Sequence, residues 1–334
     1  MSSVPDGKFL VVGCGSIGRR HLGNLQNLGV QNLIAFDVAE ERRLEVVEKF
    51  HVPVFADYDD ALAQGVHAAL ICSPTRLHLE QSLRAVEAGC HLFIEKPIAT
   101  SLQGLDELLA KIKSKQIKTL VGCNFRFHPG LQKVKALLEA GTVGSIVSAR
   151  AQFGQYLPNW HPWEDYRQGY SARRNLGGGV LLDRIHELDY IRWLLGDVSS
   201  VAALIGKLSH LEIDTEDTVD LLLRFAGGFF GTVHVDYVRR TYDCSFEVVG
   251  DEGTIQWSFQ DQRVRWFSAA GNCWQSLEWP KYEVNAMYLE QFKHFFRLLE
   301  GVEPSMADAR EGARVLEIAL AARRAADEQK VIEI

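Results

Sequence analysis

The first third of the chain sets short apolar runs between helix-like stretches. Phe9-Leu10-Val11-Val12, Leu33-Ile34-Ala35-Phe36, Ala68-Ala69-Leu70-Ile71, His91-Leu92-Phe93-Ile94 and Thr119-Leu120-Val121 carry hardly a polar side chain. A half-buried strand would alternate; unbroken runs predict strands covered on both faces, as in a parallel sheet. Helical patterns separate them. One follows the first run to Leu28 and stops at Gly29, and another follows Cys72 to Thr75, runs to Ala88 and stops at Gly89. Each glycine stands where a left-handed cap residue is wanted. Strand and helix in alternation predict an α/β unit on a parallel sheet.

After about Asn124 the pattern changes. It predicts a helix from Gly130 to Ala140, a strand near Ile146 to Phe153, an aromatic-rich loop, and a helix from about Gly179 to Leu195. From Val198 to Leu277 it becomes strand-like, with turn signals at Gly227-Gly228, Asp251-Glu252-Gly253 and Gly271-Asn272, which predicts antiparallel hairpins. In Thr218 to Phe225 the run Leu221-Leu222-Leu223 interrupts the alternation, predicting one buried face and partial cover on the other. A closing helix spans Met306 to Asp327.

At 334 residues and 47% apolar content, the chain can fill two cores. The change in pattern divides it into 1–124 and 125–334. Lys plus Arg number 36 against 43 Asp plus Glu, a formal charge of −7 that argues against nucleic acid as a partner. Residues 1–8 lack the apolar core of a signal peptide, and no run approaches the ~18 apolar residues of a membrane span. A soluble cytoplasmic protein is expected. Six scattered cysteines form no CxxC pair and no metal spacing, so reduced, mostly buried thiols and no metal are expected.

Gly13-Cys14-Gly15-Ser16-Ile17-Gly18 directly follows the first apolar run and opens the first helix, and Asp37 ends the second run nineteen positions after Gly18. Glycine turns are common, but strand, helix, spacing and acid together make a dinucleotide fingerprint. Gly13 allows the tight turn, Gly15 the approach of a pyrophosphate, and Gly18 close helix–sheet packing. The helix start at Ser16 and Ile17 supplies free N–H donors. Asp37 would accept hydrogen bonds from ribose hydroxyls and repel a 2′-phosphate, favouring NAD over NADP, with Arg42 and Arg43 as nearby counter-charges. Cys72-Ser73-Pro74-Thr75, with His78 beyond it, offers a second edge of the cofactor site; the same residues also suit a plain Ser-Pro turn with a helix cap.

Glu95-Lys96-Pro97 ends the run His91–Ile94 at the carboxyl edge, where doubly wound sheets bind ligands. Most lysines are merely solvated, whereas Lys96 emerges from a buried strand and can meet a substrate oxygen that gains negative charge during hydride transfer. Gly177-Gly178-Gly179 precedes a helix on which Asp183, His186 and Tyr190 share a face. A lone helical histidine is usually packed or capping. With a carboxylate one turn before it, His186 suits the role of general base, and Asp183 that of orienting it or holding a substrate hydroxyl. The aromatic and arginine-rich loop from Gln155 to Arg174 suits either a polyhydroxylated ligand or an oligomer contact, and within it Trp163, Tyr166 and Arg167 are the expected substrate-binding residues, beside Lys96, Asp183 and His186.

Taken together, Gly13-x-Gly15-x-x-Gly18, Glu95-Lys96-Pro97, Asn124-Phe125-Arg126-Phe127 and Gly177-Gly178-Gly179 with Asp183 and His186 resemble the Gfo/Idh/MocA oxidoreductases over nearly the whole length. The resemblance implies an N-terminal Rossmann domain and a C-terminal α/β domain on a large, mostly antiparallel open sheet, whose exposed face makes a homodimer or homotetramer. It implies that Lys96 contacts substrate and nicotinamide, that Asp183 and His186 complete the catalytic set, and that Ser73, Pro74, His78, Glu95 and Asn124 line the cofactor. Inositol dehydrogenase-like members usually place the Asp and His four apart. Here they are three apart, which rotates Asp183 by ~100° on an ideal helix and makes Glu187 and Asp189 the alternative carboxylates. The implied activity is NAD-dependent oxidation of a secondary alcohol of a sugar, inositol or sugar derivative. Some relatives are instead glycosidases that oxidise C3 transiently, and others are non-enzymatic regulators, a role that needs neither Lys96 nor His186.

Overall fold

Each of the five apolar runs forms a strand of one parallel sheet in the computed structural model, which describes residues 5–160, 162 and 164–334. In chain order the elements are β1 (Lys8–Val12), α1 (Ser16–Asn27), β2 (Leu33–Phe36), α2 (Glu40–Phe50), β3 (Val54–Phe55), α3 (Tyr58–Leu62), β4 (Val66–Ile71), α4 (His78–Glu87), β5 (His91–Ile94), α5 (Leu105–Ser114) and β6 (Thr119–Val121). The strand order is β3-β2-β1-β4-β5-β6, with every pair parallel. That is the doubly wound arrangement whose order reverses between β1 and β4, the place where such sheets bind ligands. Phe9 to Val12, Ala68 to Ile71 and Leu92 to Ile94 have no exposed surface, as two-sided cover demands. The sequence pattern missed β3, which is only two residues long.

Two compact units emerge: residues 1–124 with 284–314, and residues 125–283 with 315–334. The second opens with α6 (Pro129–Glu139) and β7 (Ile146–Gly154), followed by α7 (Val180–Asp183) and α8 (His186–Leu195). Strands β8 (Val198–Gly206), β9 (Thr218–Phe225), β10 (Phe230–Asp236), β11 (Asp243–Gly250), β12 (Gly253–Ser258), β13 (Arg263–Ser268) and β14 (Cys273–Glu278) follow. Helices α9 (Asn285–Glu300) and α10 (Ala309–Glu328) lead to β15 (Ile332–Glu333). The nine-stranded sheet runs β14-β13-β12-β11-β7-β10-β9-β8-β15, antiparallel except where β10 meets β7.

Two expectations are corrected. The helix expected from Gly179 to Leu195 is two helices, broken at Arg184 and Ile185, so Asp183 and His186 do not share one continuous helical face. No proline or glycine marks the break. Arg184 leaves helical geometry while its guanidinium pairs with Glu187, three positions on, at 2.7 Å and lies 3.5 Å over the ring of Phe153, a contact made across the fold. In β9 burial alternates strictly, and Leu222 is 53% exposed, because none of the described residues covers that outer face.

Cys14, Cys72, Cys90, Cys123 and Cys244 are buried free thiols, and Cys273 is exposed. Among the described residues no helix is long and apolar enough to cross a membrane.

Candidate active site

In the first unit, the ends of β1, β2, β4 and β5 carry the predicted cofactor residues. Gly13 sits at φ +94°, and a Cβ there would lie 2.8 Å from the Ser73 backbone; a Cβ on Gly18 would lie 1.9 Å from the Gly13 carbonyl oxygen. Neither position admits a side chain. Gly15 precedes α1 with nothing within 4 Å of its would-be Cβ, and no side chain caps the helix. The first N–H groups of α1, at Ser16 and Ile17, thus have no side-chain cap, and form the donor set that a dinucleotide pyrophosphate fits.

Asp37 is buried and ties this turn to β2. Its Oδ2 accepts from the Cys14 N–H at 2.7 Å and its Oδ1 from the Ala39 N–H at 2.8 Å. A carboxylate with two bonds made still has lone pairs for ribose hydroxyls. Arg43 spends its guanidinium on the Asp37 and Val38 carbonyls, whereas Arg42 lies 3.7 Å from Asp37 and is half exposed. Burial, reinforced by Asp37, pushes the Cys14 thiol up to about 12 and keeps it neutral.

Ser73 donates its hydroxyl to Gln81 Oε1 at 2.6 Å, and Pro74 leads into a 3₁₀ turn, Thr75–Leu77, whose Thr75 is buried. His78 is buried with Nε2 2.8 Å from the Ser73 carbonyl and Nδ1 2.7 Å from the Pro97 carbonyl. Burial pushes its pKa down, against the two backbone contacts; the neutral ring has a single N–H, so it donates to one of the two carbonyls, and the Pro97 contact is the one that joins the loops after β4 and β5. Glu95 Oε1 lies 2.7 Å from Nε2 of the fully buried His21, and the Lys96 N–H donates to Glu95 Oε2 at 3.3 Å. Burial opposes ionisation of Glu95. The His21 hydrogen bond and the charges of His21 and Lys96 outweigh it and hold the carboxyl below its ordinary value. Lys96 is half-buried and Asn124 is buried. Sequence reasoning missed His21, since its partner stands 74 positions away.

The second unit holds the other candidates. Asp183 ends α7, and its Oδ2 accepts from Ser171 Oγ at 2.5 Å and from the Tyr237 hydroxyl at 2.9 Å. Burial and the Asp183 charge push the Tyr237 phenol up, so it donates as a neutral hydroxyl. His186 starts α8, buried against the Phe125 ring at 5.0 Å between centroids. Both alternative carboxylates are held by arginines: Glu187 by Arg184, and Asp189 by the fork of Arg126 at 2.7 Å. Ser171 and Tyr237 escaped the sequence pattern because their link to Asp183 depends on how loop and strand pack.

Arg167 binds Asp165 through Nε at 2.8 Å and Nη2 at 3.1 Å, and Glu212 through Nη1 at 2.9 Å. The Tyr166 hydroxyl accepts from the Glu212 N–H at 3.2 Å. Both side chains thus fasten the loop before Ser171 to the 212 segment. Trp163 lies outside the described residues.

Residues 7–123 match a family model described as an oxidoreductase family with an NAD-binding Rossmann fold, and residues 131–256 match the GFO/IDH/MocA C-terminal domain. The chain is 30% identical to myo-inositol 2-dehydrogenase of Thermotoga maritima over 97% of each protein. It is 26% identical to scyllo-inositol 2-dehydrogenase (NAD(+)) of Bacillus subtilis over 93% of this chain and 92% of that one. Its fold is similar to that of levoglucosan dehydrogenase in complex with NADH and levoglucosan, with a TM-score of 0.86, 23% identity and 98% of both chains covered.

Proposed function

The chain belongs to the GFO/IDH/MocA oxidoreductase family, and on that premise we propose that it is an NAD-dependent dehydrogenase of a secondary alcohol in a sugar, inositol or sugar derivative. Bound NAD supplies the hydride acceptor. The turn at Gly13–Gly18 and the uncapped start of α1 hold the pyrophosphate, while Asp37 accepts ribose hydroxyls and opposes a 2′-phosphate. Ser73, Pro74, Thr75, Glu95 and Asn124 complete the cofactor's surroundings, and His78 contributes by holding two of the loops.

Lys96 stabilises the negative charge that develops on the substrate oxygen. His186 takes the hydroxyl proton, and Asp183, fixed by Ser171 and Tyr237, accepts a neighbouring substrate hydroxyl. Tyr166 and Arg167 position the loop that carries Ser171. The observation that carries this reading is Lys96 leaving the carboxyl end of β5, in the same sheet whose glycine turn and free helix start suit a dinucleotide. The inositol dehydrogenase relatives support a polyhydroxylated ring as substrate.

The outer face of the large sheet supports a homo-oligomer: Leu204, Leu222 and Phe230 are 78%, 53% and 46% exposed on neighbouring strands. Six free thiols suit the reducing cytoplasm.

The test follows NADH absorbance across inositols, aldoses, anhydrosugars and sugar nucleotides, with NADP in parallel. Reduction of NAD by at least one of them, faster than of NADP, is expected. Lys96→Ala and His186→Ala should each cut kcat by roughly 10²–10⁴ while NADH still binds by fluorescence titration. Wild-type turnover in either variant overturns the assignment, and release of an aglycone without net NADH replaces it with transient oxidation.

A further inference from the structure

Three positions on one face of α8 meet two side chains of a single segment. His186, Asp189 and Trp193 are spaced i, i+3 and i+7, so they line up along the helix. Against them lie Phe125 and Arg126, neighbours in one 3₁₀ turn. The Phe125 ring packs on the His186 imidazole at 5.0 Å. Arg126, next in sequence, reaches Asp189 with Nε at 3.2 and 3.1 Å from its two carboxylate oxygens and Nη2 at 2.7 Å from Oδ1. The same guanidinium stands 5.9 Å from the centre of the Trp193 ring. Arg126 is 1% exposed, and the Asp189 side chain 2%.

A fork on a carboxylate fixes two directions, whereas an apolar contact fixes only a distance. With one end of that contact in the residue after Phe125 and the other one turn beyond His186, the pair adds a directional constraint on where the aromatic ring meets the imidazole to the apolar packing of Phe125 on Tyr190, Trp257 and Phe259. Apolar packing alone would let the turn slide along α8. Buried ionic pairs commonly serve register in this way, adding little net stability over a matched apolar pair.

We propose that Arg126 and Asp189 are positioning residues that lock the 124–127 turn onto α8 and so set the orientation of the His186 ring for proton removal. The inference rests on the reading of His186 as the base. Its test is built so that the two can fail separately.

The decisive variant is the double substitution Arg126→Met with Asp189→Leu, which removes both charges at similar volume and avoids leaving either one buried alone. It should melt cooperatively. Its kcat should fall on the order of 10- to 100-fold, as a displaced catalytic group does, while substrate KM and NADH affinity stay within about twofold. Arg126→Lys, which keeps the charge and loses the fork, should retain an intermediate kcat.

A second readout needs no turnover. The Phe125 ring current acts on the His186 Cε1–H proton resonance, assigned by its loss in His186→Ala, and the double variant should move that signal in the protein without substrate. An unmoved signal and unchanged kcat, with His186→Ala inactive, overturn the positioning inference alone. If His186→Ala keeps full turnover, the reading of the base fails, and the resonance still decides whether the pair sets the ring. Should the double variant not fold, Arg126→Lys and Asp189→Asn carry the same two readouts.

Discussion

A methyl group at residue 122 would stand 2.9–3.0 Å from the three carboxyl atoms of Glu95, which are already held by His21 and by the backbone of Lys96. Gly122→Ala should therefore cost roughly 1–3 kcal/mol, the usual penalty for overpacking, and reduce turnover by displacing Lys96. Urea unfolding and kcat check both effects. His128 reports on acid. Its Nδ1 accepts from the Gly130 N–H at 3.0 Å to cap α6, and burial holds its pKa at about 4. In the unfolded chain it titrates near about 6.5, so between these values the unfolded state binds the extra proton. Stability is then full above the upper value and falls as pH drops toward the lower one. From pH 7 to pH 5 the loss is about 2 kcal/mol, and His128→Asn, which keeps a capping acceptor, should flatten that part of the pH profile in denaturant titrations.

At the level of elements, the break between α7 and α8 places Asp183 at a helix end, where Ser171 and Tyr237 can both reach it. Tyr237 follows directly on β10, so its hydroxyl fastens α7 to the sheet. Tyr237→Phe removes one donor from a buried carboxylate and should cost about 1.5–3 kcal/mol, the range for hydrogen bonds to charged groups. If Asp183 holds a substrate hydroxyl, KM should rise more than kcat falls. Unaltered melting and unaltered KM would show that the phenol contributes nothing to either. α1 has the opposite character: no side chain closes its start, so its first N–H groups lack a side-chain acceptor until an anion arrives.

On the scale of the whole molecule, the nine-stranded sheet has a face that the described residues leave uncovered at Leu204, Leu222 and Phe230. Leu204 lies beside Asp220, Leu222 beside Thr232 and Phe230 beside Arg224, all pointing outward. Leu204→Asp with Leu222→Asp should reduce the mass in sedimentation to that of one chain and keep the circular dichroism of the fold, because both side chains face away from the core, while the melting temperature falls as the subunit contact is lost. An unchanged mass would place the oligomer contact elsewhere or show that there is none.

Periodicity and glycine spacing carried the sheet order's raw material, the nucleotide turn, Asp37 and the position of Lys96 at the end of a buried strand. These features are local: a run of apolar residues or a glycine at a fixed offset constrains its own backbone. The pairing of charged side chains was not local. Glu95 meets His21 across 74 positions and Asp189 meets Arg126 across 63, and Arg184, where the helix breaks, lies over the ring of Phe153 in another element. Nothing in a linear pattern ranks Glu187, Asp189 and Asp183 against one another. Packing decided it, since each buried carboxylate had to be matched by whichever donors the folded elements brought within reach.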